Sequence, residues 1–329
     1  MIEAERFDQT ILLYLDAFAR SAKKGGSRGM YRTFLTAPNC QGLSSLSWCL
    51  SGHLSDGARL REAQEGMASS AQIGPDFSTV TELGGDDVTR EQVERLCHRY
   101  YWAGAYCEDK DVLEVACGTG PGLGYLASKA RSLQAGDITA AMVASCINHY
   151  GDRVPVSVMD AARLPQADRS LDVVILFEAI YYLPDASAFL AECRRVLRPG
   201  GTLLIATANK DLSDFNPSPY ARTYFGAVEL ARLLRRHGLQ PSLFAYGAIA
   251  RRPLPQRLLG PVKQVAVALG LLPKTMAGKR LLKRLVFGEL VRMPAEIVAG
   301  MHPYVAPQPV PEDRPDRQHQ VIYCSGRLP

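Results

Sequence analysis

Short apolar runs recur along the middle of the chain, and stretches with helical character separate them. We expect buried strands at 112–116, 132–137, 154–158, 171–177 and 201–207, followed by two more at 243–247 and 320–326. The runs are rich in Val, Ile and Leu and are bounded by turn-forming residues, as buried strands are. Regular alternation of such strands with helices predicts an α/β fold built on a doubly wound sheet.

Two helices are well marked by the sequence. Thr89 and Gln92 occupy the N-cap and N3 positions of a capping box, and apolar residues follow with helical spacing at 93, 96, 100 and 101. We expect this helix to run towards Cys107. A second amphipathic helix is expected over 225–237, because Gly238 follows it in the position that often ends a helix.

The chemistry is expected around 112–124, where an apolar strand runs into four glycines. Glycines let the backbone adopt positive φ and let a ligand approach the main chain, and unpaired N–H groups follow at the start of the next helix. Two familiar loops do not fit this spacing. Leu123 stands where a dinucleotide fingerprint needs its last glycine, and no Gly-Lys-Ser/Thr closes the stretch as in a P-loop.

An acidic residue in the strand, Glu114, followed by Gly118-Thr119-Gly120, resembles the first motif of class I S-adenosylmethionine-dependent methyltransferases. The segment 195–207, RVLRPGGTLLIAT, is similar to the turn that leads into the fifth strand of that family. The resemblance covers 112–207 and is greatest to the small-molecule, ubiquinone-biosynthesis-like branch. Ala116 stands at the first glycine of the family motif, and we expect a small backbone adjustment there rather than lost binding.

The resemblance implies a Rossmann-like sheet of seven strands, six parallel and the last antiparallel, with S-adenosyl-L-methionine as the cofactor. Asp137 ends the second strand, and its carboxylate suits the two hydroxyls of a ribose. Asp160 resembles the acidic residue that accepts a hydrogen bond from the adenine amino group. The implied cofactor contacts are Tyr101, Glu114, Ala116, Gly118, Gly120, Asp137, Ile138, Asp160, Ala161 and Phe177.

Tyr101 enters this set because the family helix at 89–107 lies across the cofactor and its aromatic residues can close over the methionine end. The alternative for Tyr100 and Tyr101 is simple packing on the sheet. Glu178, Tyr181 and Tyr182 follow the fourth strand, the family's usual position for groups facing the transferred methyl. Tyrosine, with an ordinary pKa near about 10, is a poor base at neutral pH. Proximity alone, or a base from elsewhere such as His302, remains open.

Three parts of the chain follow from this pattern. We expect residues 1–88 to form a helical N-terminal extension or cap, residues 89–250 with 319–329 to form the cofactor-binding domain, and residues 251–318 to form a basic helical insertion that acts as a substrate lid. The stretch 251–293 has ten basic side chains and a single acidic one. It could lie on an anionic membrane, attract a soluble anion, bind nucleic acid, or simply expose a solvated basic face. Nucleic acid is the least favoured of these.

Composition and charge add little to the class of protein that the motifs indicate. The chain has 329 residues, 47% hydrophobic residues and a formal net charge of +5. Eight cysteines are scattered without Cys-x-x-Cys spacing, which favours reduced thiols over a metal or disulfide framework. No signal peptide or membrane-spanning run is recognised. A cytoplasmic protein is expected, with possible peripheral contact with a membrane through 251–293.

The expected function is methyl transfer, EC 2.1.1.-, to oxygen or nitrogen of a small-molecule, sugar or lipid-linked intermediate. The acceptor and the oligomeric state are not defined by the sequence. Two alternatives belong to other classes. A non-catalytic module could bind S-adenosylmethionine without an acceptor, and a nicotinamide-dependent oxidoreductase would share the sheet and the ribose carboxylate.

Overall fold

The computed structural model describes residues 84–213, 215, 217–218, 220–248 and 290–329. The helical extension expected over 1–88 therefore lies almost entirely outside the described residues. The same is true of 249–289, which contains most of the basic stretch.

A single large sheet organises the described chain. Eight strands form it, in the order β4-β3-β2-β5-β6-β10-β7-β9, and two others, β1 and β8, pair separately. The ten strands are β1 (Asp87–Thr89), β2 (Asp111–Val115), β3 (Ser132–Asp137), β4 (Val156–Val158), β5 (Leu171–Phe177), β6 (Leu197–Ala208), β7 (Gln240–Ala248), β8 (Leu290–Arg292), β9 (Gln308–Pro309) and β10 (His319–Arg327).

The strand directions confirm the predicted fold class. Strands β2 to β6 are parallel to their neighbours, and β10 runs antiparallel between β6 and β7. Six strands therefore point the same way, and β10 and the short edge strand β9 run against them. The prediction of seven strands was one short, because the brief strand Gln308–Pro309 adds to the outer edge of β7 through two residue pairs.

Five α-helices are present among the described residues. They are α1 (Arg90–Cys107), α2 (Leu123–Ala127), α3 (Ala140–Tyr150), α4 (Ala186–Val196) and α5 (Ala227–Arg236). The predicted capping box is confirmed, since the Gln92 N–H donates to Thr89 Oγ1 at 3.2 Å and the Thr89 N–H donates to Gln92 Oε1 at 2.8 Å. The helix predicted over 225–237 corresponds to α5.

The helices cover both faces of the sheet, as continuous apolar strands require. In β5, Val173 and Ile175 pack in one buried cluster with residues of α1, α2 and α3. Val174 and Leu176 point the other way, into a cluster with residues of α4 and α5. Because β2 to β6 run parallel to one another, their carboxyl ends lie at the same edge of the sheet.

The helical insertion predicted over 251–318 is wrong for its described part. Residues 290–318 contain the strands β8 and β9 with irregular segments between them, and no helix. Leu290–Arg292 pairs antiparallel with Asp87–Thr89, directly before α1. Prolines at 294, 303, 307, 309 and 311 oppose helix formation in this segment.

Candidate cofactor and acceptor site

A cavity of about 750 Å³ opens at the edge of the sheet where the parallel strands end. It is bordered by the residues that follow β2, β3, β4 and β5, and by one face of α1. In a doubly wound sheet this edge is where ligands bind. Of the thirteen site residues expected from the sequence, eleven line this cavity, namely Glu114, Ala116, Gly118, Asp137, Ile138, Asp160, Ala161, Phe177, Glu178, Tyr181 and Tyr182.

The loop after β2 has a backbone that favours glycine. Gly118 and Gly120 have φ of 59° and 71°, and Ala116 also has a positive φ, 56°. Ala116 thus keeps the left-handed conformation that a glycine would adopt without strain. That cofactor binding is retained with alanine at this position stays a prediction.

Helix α3 holds the glycine loop from behind. The Tyr150 hydroxyl donates to Gly120 O at 2.6 Å, and Cys146 Sγ lies 3.3 Å from Gly118 O. A Cβ atom on Gly120 would meet Cys146 Sγ at 2.9 Å, so the close packing leaves no room for a side chain. Gly120 therefore shapes the loop and does not itself line the cavity.

Glu114 is a buried carboxyl group at the base of the cavity. It is 1% exposed, and its Oε1 accepts a 2.6 Å hydrogen bond from the Tyr100 hydroxyl. Burial raises the pKa of Glu114 to about 7, although Tyr100 and Arg99 oppose the shift. Oε2 is buried without a hydrogen-bond partner among the described residues. A buried acceptor of this kind requires a donor, and a ligand ammonium group would supply one.

Asp137 and Asp160 stand at the ends of neighbouring strands. The Asp137 carboxylate accepts hydrogen bonds from Gly118 N at 3.0 Å and from Thr139 N at 2.8 Å, which fixes it against the glycine loop. Asp160 is exposed to the cavity and accepts from Ala162 N at 2.9 Å. Each carboxylate oxygen has two acceptor positions, so both groups retain capacity for ligand hydroxyl or amino donors.

Glu178 follows β5 and has a φ of 52°, which is unusual for a residue with a side chain. Its Oε1 lies 3.4 Å from Arg99 Nη1, and its Oε2 accepts a 3.1 Å hydrogen bond from the Tyr181 hydroxyl. Burial raises the pKa of Tyr181 well above its ordinary value, so this hydroxyl remains a proton donor. Tyr182 lies beside it and donates to Ser218 Oγ at 3.1 Å.

Tyr101 and His302 do not line the cavity. The Tyr101 hydroxyl donates to Val298 O at 2.6 Å and accepts from Met301 N at 3.0 Å. The aromatic residue that faces the cavity is its neighbour Tyr100, which is buried against Phe177 with ring centroids 5.4 Å apart. The structure thus places Tyr101 outside the set with which the sequence grouped it.

Several cavity residues were not expected from the sequence. Gln92, Arg95 and Arg99 lie on the same face of α1 as Leu96 and Tyr100, at spacings of three and four residues. The sequence contains that spacing, but a helix face packed on a sheet is ordinarily apolar, so the spacing did not single out its polar residues. Met293, which is far away in sequence, has no local signal that could have identified it.

The donor and acceptor groups present fit S-adenosylmethionine. Glu114 Oε2 would receive the ammonium group, Asp137 the ribose hydroxyls and Asp160 the adenine amino group, while the positive-φ loop lets the ligand approach the main chain. A Cβ at Gly122 would come within 2.1 Å of the Tyr100 ring. That glycine therefore allows Tyr100 to reach Glu114. No cluster of three or more metal-ligating side chains was found among the described residues.

Fold and site together define a doubly wound cofactor-binding domain of the methyltransferase type. Residues 113–205 match the family model described as a methyltransferase domain. This match, and relatives named as probable S-adenosylmethionine-dependent methyltransferases, support the resemblance recognised in the sequence, and S-adenosylmethionine is the cofactor that they indicate. The finer branch, ubiquinone-biosynthesis-like, stays a prediction.

Curated relatives match mainly the central part of the chain. A probable S-adenosylmethionine-dependent methyltransferase of Mycolicibacterium smegmatis is 37% identical over 153 residues, 45% of this chain and 56% of the relative. An O-methyltransferase of Penicillium expansum is 30% identical, covering 50% of this chain and 62% of the relative. A phthiotriol/phenolphthiotriol dimycocerosates methyltransferase of Mycobacterium ulcerans is 42% identical, covering 29% and 36%. The chain thus spans about half the length of the Mycolicibacterium relative.

Proposed function

We propose that this protein transfers the methyl group of S-adenosylmethionine to an oxygen or nitrogen atom of a small-molecule, sugar or lipid-linked intermediate. One observation carries the proposal. The same cavity is lined by the carboxylates suited to the cofactor's ammonium, ribose and adenine groups and also by Glu178, Tyr181 and Tyr182, which those three groups do not engage. Space beside the cofactor groups is what an acceptor needs. The names of the Penicillium and M. ulcerans relatives support an acceptor of this kind.

The bound cofactor supplies a methyl carbon already activated by a sulfonium. The chain must then align the acceptor, keep water out and, where the attacking atom has a proton, remove it. Glu178 is suited to the last task because its carboxylate lines the cavity and is oriented from both sides. Arg99 approaches Oε1 and Tyr181 donates to Oε2. Tyr181 is a positioning residue in this scheme, since its raised pKa keeps its own proton in place.

The membrane contact proposed for 251–293 and the role of that segment as a lid involve residues that are mostly outside the described part of the chain. Within the described part, no helix has both the length and the apolar character needed to cross a membrane. We keep peripheral membrane contact as a proposal supported by the basic composition of the stretch.

The first experiment is a parallel calorimetric titration with S-adenosylmethionine, S-adenosylhomocysteine and NADH, followed by an acceptor screen. We expect binding of both sulfur compounds, none of NADH, and turnover with at least one acceptor. Glu178→Gln should lower turnover by about 100-fold or more, the usual contribution of a general base, while leaving S-adenosylhomocysteine affinity within about threefold.

The matched control is Glu108→Gln, which makes the same change at an exposed residue paired with Lys129, outside the cavity. Cofactor binding with no turnover on any acceptor would favour the non-catalytic alternative. An unaltered rate in Glu178→Gln would exclude this residue as the base without touching the methyltransferase assignment.

A further inference from the structure

One face of α1 gives the cavity an unusual charge. Gln92, Arg95, Leu96, Arg99 and Tyr100 follow each other at helical spacing, and all five line the cavity. A helix face packed against a sheet is ordinarily apolar. Here Arg95 and Arg99 are directed towards the same space as the apolar members of the stripe.

Arg95 is held by a neutral group. Its Nη1 donates to Gln320 Oε1 at 2.9 Å, and the Gln320 amide donates in turn to Glu91 Oε1 at 3.0 Å. Among the described residues, no carboxylate lies within ion-pair distance of Arg95. Gln320 therefore fixes the direction of the guanidinium without neutralising it.

Besides Arg95 and Arg99, a third arginine lines the cavity. Arg222 also lines the cavity, and its backbone N–H donates to Tyr181 O at 2.7 Å, next to the expected acceptor position. Its side chain, too, has no carboxylate within ion-pair distance in the described part of the chain. Glu178 is paired with Arg99, and Asp185 caps α4 through a 2.8 Å hydrogen bond from Ser187 N. Arg95 and Arg222 are therefore the two cavity arginines that have no carboxylate within ion-pair distance among the described residues.

Apolar side chains lie beside this charge. Leu96, Phe177, Met293, Val321 and Tyr323 all line the cavity. Four of them, all except Phe177, come from α1, β10 and the segment after β8, the same side of the cavity as Arg95. A ligand that satisfies both features must combine an apolar body with an oxyanion, and guanidinium groups bind carboxylate and phosphate through paired hydrogen bonds.

We propose that the methyl acceptor is an amphiphilic anion, whose carboxylate or phosphate group binds Arg95. This inference rests on the proposed methyltransferase function and specifies the acceptor class for that site. Arg95 acts here as a specificity-determining residue. The competing occupant is the carboxylate of the cofactor itself, because it carries the same charge and the cavity is continuous.

The test uses octanoate, octyl phosphate and 1-octanol as probes in calorimetric titrations, both with protein alone and with protein saturated by S-adenosylhomocysteine. We expect one or both anions to bind the saturated protein at least about tenfold more tightly than octanol, the scale of a charge-assisted hydrogen bond. The two anions distinguish a carboxylate from a phosphate. Arg95→Gln should abolish this preference, whereas Arg95→Lys, which keeps the charge, should retain most of it.

Arg236→Gln is the matched control, since Arg236 is an exposed arginine of α5 outside the cavity, and it should bind the anions like the wild type. Equal binding of all three probes, absence of anion binding, or equal losses in Arg95→Gln and Arg95→Lys would overturn the proposal. A parallel loss of S-adenosylhomocysteine affinity in Arg95→Gln would also overturn it and assign Arg95 to the cofactor. Failure of the methyltransferase proposal is separate, because it appears in the wild type as absent cofactor binding or as cofactor binding without turnover on any acceptor.

Discussion

Two residues with side chains adopt left-handed backbone conformations on the cavity wall. Ala116 has a φ of 56° and Glu178 a φ of 52°. Each follows a buried strand, β2 or β5, at the edge where the sheet binds ligands. Such conformations are costly and are often retained at functional sites, because the surrounding structure fixes them there. At Ala116 the energetic cost of the left-handed backbone can be measured without disturbing a ligand contact, because the methyl side chain makes no polar contact.

We predict that Ala116→Gly stabilises the protein. Glycine removes the left-handed strain of about 1–2 kcal/mol but adds unfolded-state entropy worth about 0.5–1 kcal/mol. The expected net gain in the free energy of unfolding is therefore about 0.5–1 kcal/mol, measured by denaturant titration. Ala144→Gly, at an exposed position in the middle of α3, is the control and should instead cost about 1 kcal/mol. A loss of stability in both variants would contradict the strain interpretation.

The protonation state of Glu114 makes ligand binding in the cavity depend on pH. Its folded pKa of about 7 lies above the ordinary value of 4.5, chiefly because of burial. Without ligand, burial therefore disfavours the charged form of Glu114, and the group is increasingly protonated as the pH falls below about 7. A ligand ammonium on Oε2 would need the charged form, so binding must expel that proton in acidic solution.

We predict that S-adenosylhomocysteine binds wild-type protein with constant affinity above about pH 7 and with up to about tenfold weaker affinity per pH unit below it. Glu114→Gln, which keeps an acceptor for Tyr100 but cannot ionise, should bind more weakly and without this pH dependence. Calorimetry between about pH 5.5 and 8 would measure both. If the wild-type affinity does not change across that range, the ammonium does not rest on Glu114.

At the scale of elements, the sequence predicted most of what local patterns determine. The bounds of β3 and β5 agree with the prediction, and the Thr89 cap is where the capping box indicated. Strand β5 is almost entirely apolar, β3 alternates exposed and buried residues before its buried end, and α1 has a polar cap with its own side-chain partner. Their conformation depends on neighbours in the sequence, so the pattern is sufficient.

What the sequence could not determine was how α1 is rotated and what packs on it. Tyr100 and Tyr101 are adjacent, and neighbouring residues on a helix point about 100° apart. Both are aromatic, so composition could not say which one faces the cavity. Hydrogen bonds decide which tyrosine faces the cavity. Glu114 on β2 accepts a hydrogen bond from the Tyr100 hydroxyl, and Val298 O accepts one from the Tyr101 hydroxyl. Each partner comes from a different part of the chain.

At the scale of the whole molecule, the segment after β8 connects α1 to the glycine loop. Ile297 N donates to Pro121 O at 2.8 Å in the loop, and Tyr101 bridges to Val298 and Met301. Farther along, Val305 O lies 2.6 Å from His98 Nε2. Residues almost two hundred positions apart thus support the same cavity wall. Helix α1 can present Arg95 and Tyr100 because these contacts fix its opposite side.

Because His98 is titratable, its contact with the segment after β8 makes the stability of the fold depend on pH. It is 1% exposed, its Nδ1 lies 3.0 Å from the Tyr323 hydroxyl, and its ring stacks on Tyr246. Because Val305 O can only accept, Nε2 carries the proton and Nδ1 accepts from Tyr323. Burial lowers the pKa of His98 from 6.5 to about 4, although Val305 O and the nearby Glu94 favour its charged form.

The effects of His98 and Glu114 on folding oppose each other between about pH 5 and 6.5. Since the unfolded chain protonates His98 first, stability falls as the pH drops below 6.5, by at most about 1.4 kcal/mol per unit. Glu114 gains stability over the same range, because its folded pKa is the higher one. Denaturant titrations should therefore show stability falling with acidity in Glu114→Gln, rising in His98→Gln, and changing little in the wild type and the double variant. Equal slopes in the two single variants would show that neither buried group titrates as its surroundings require.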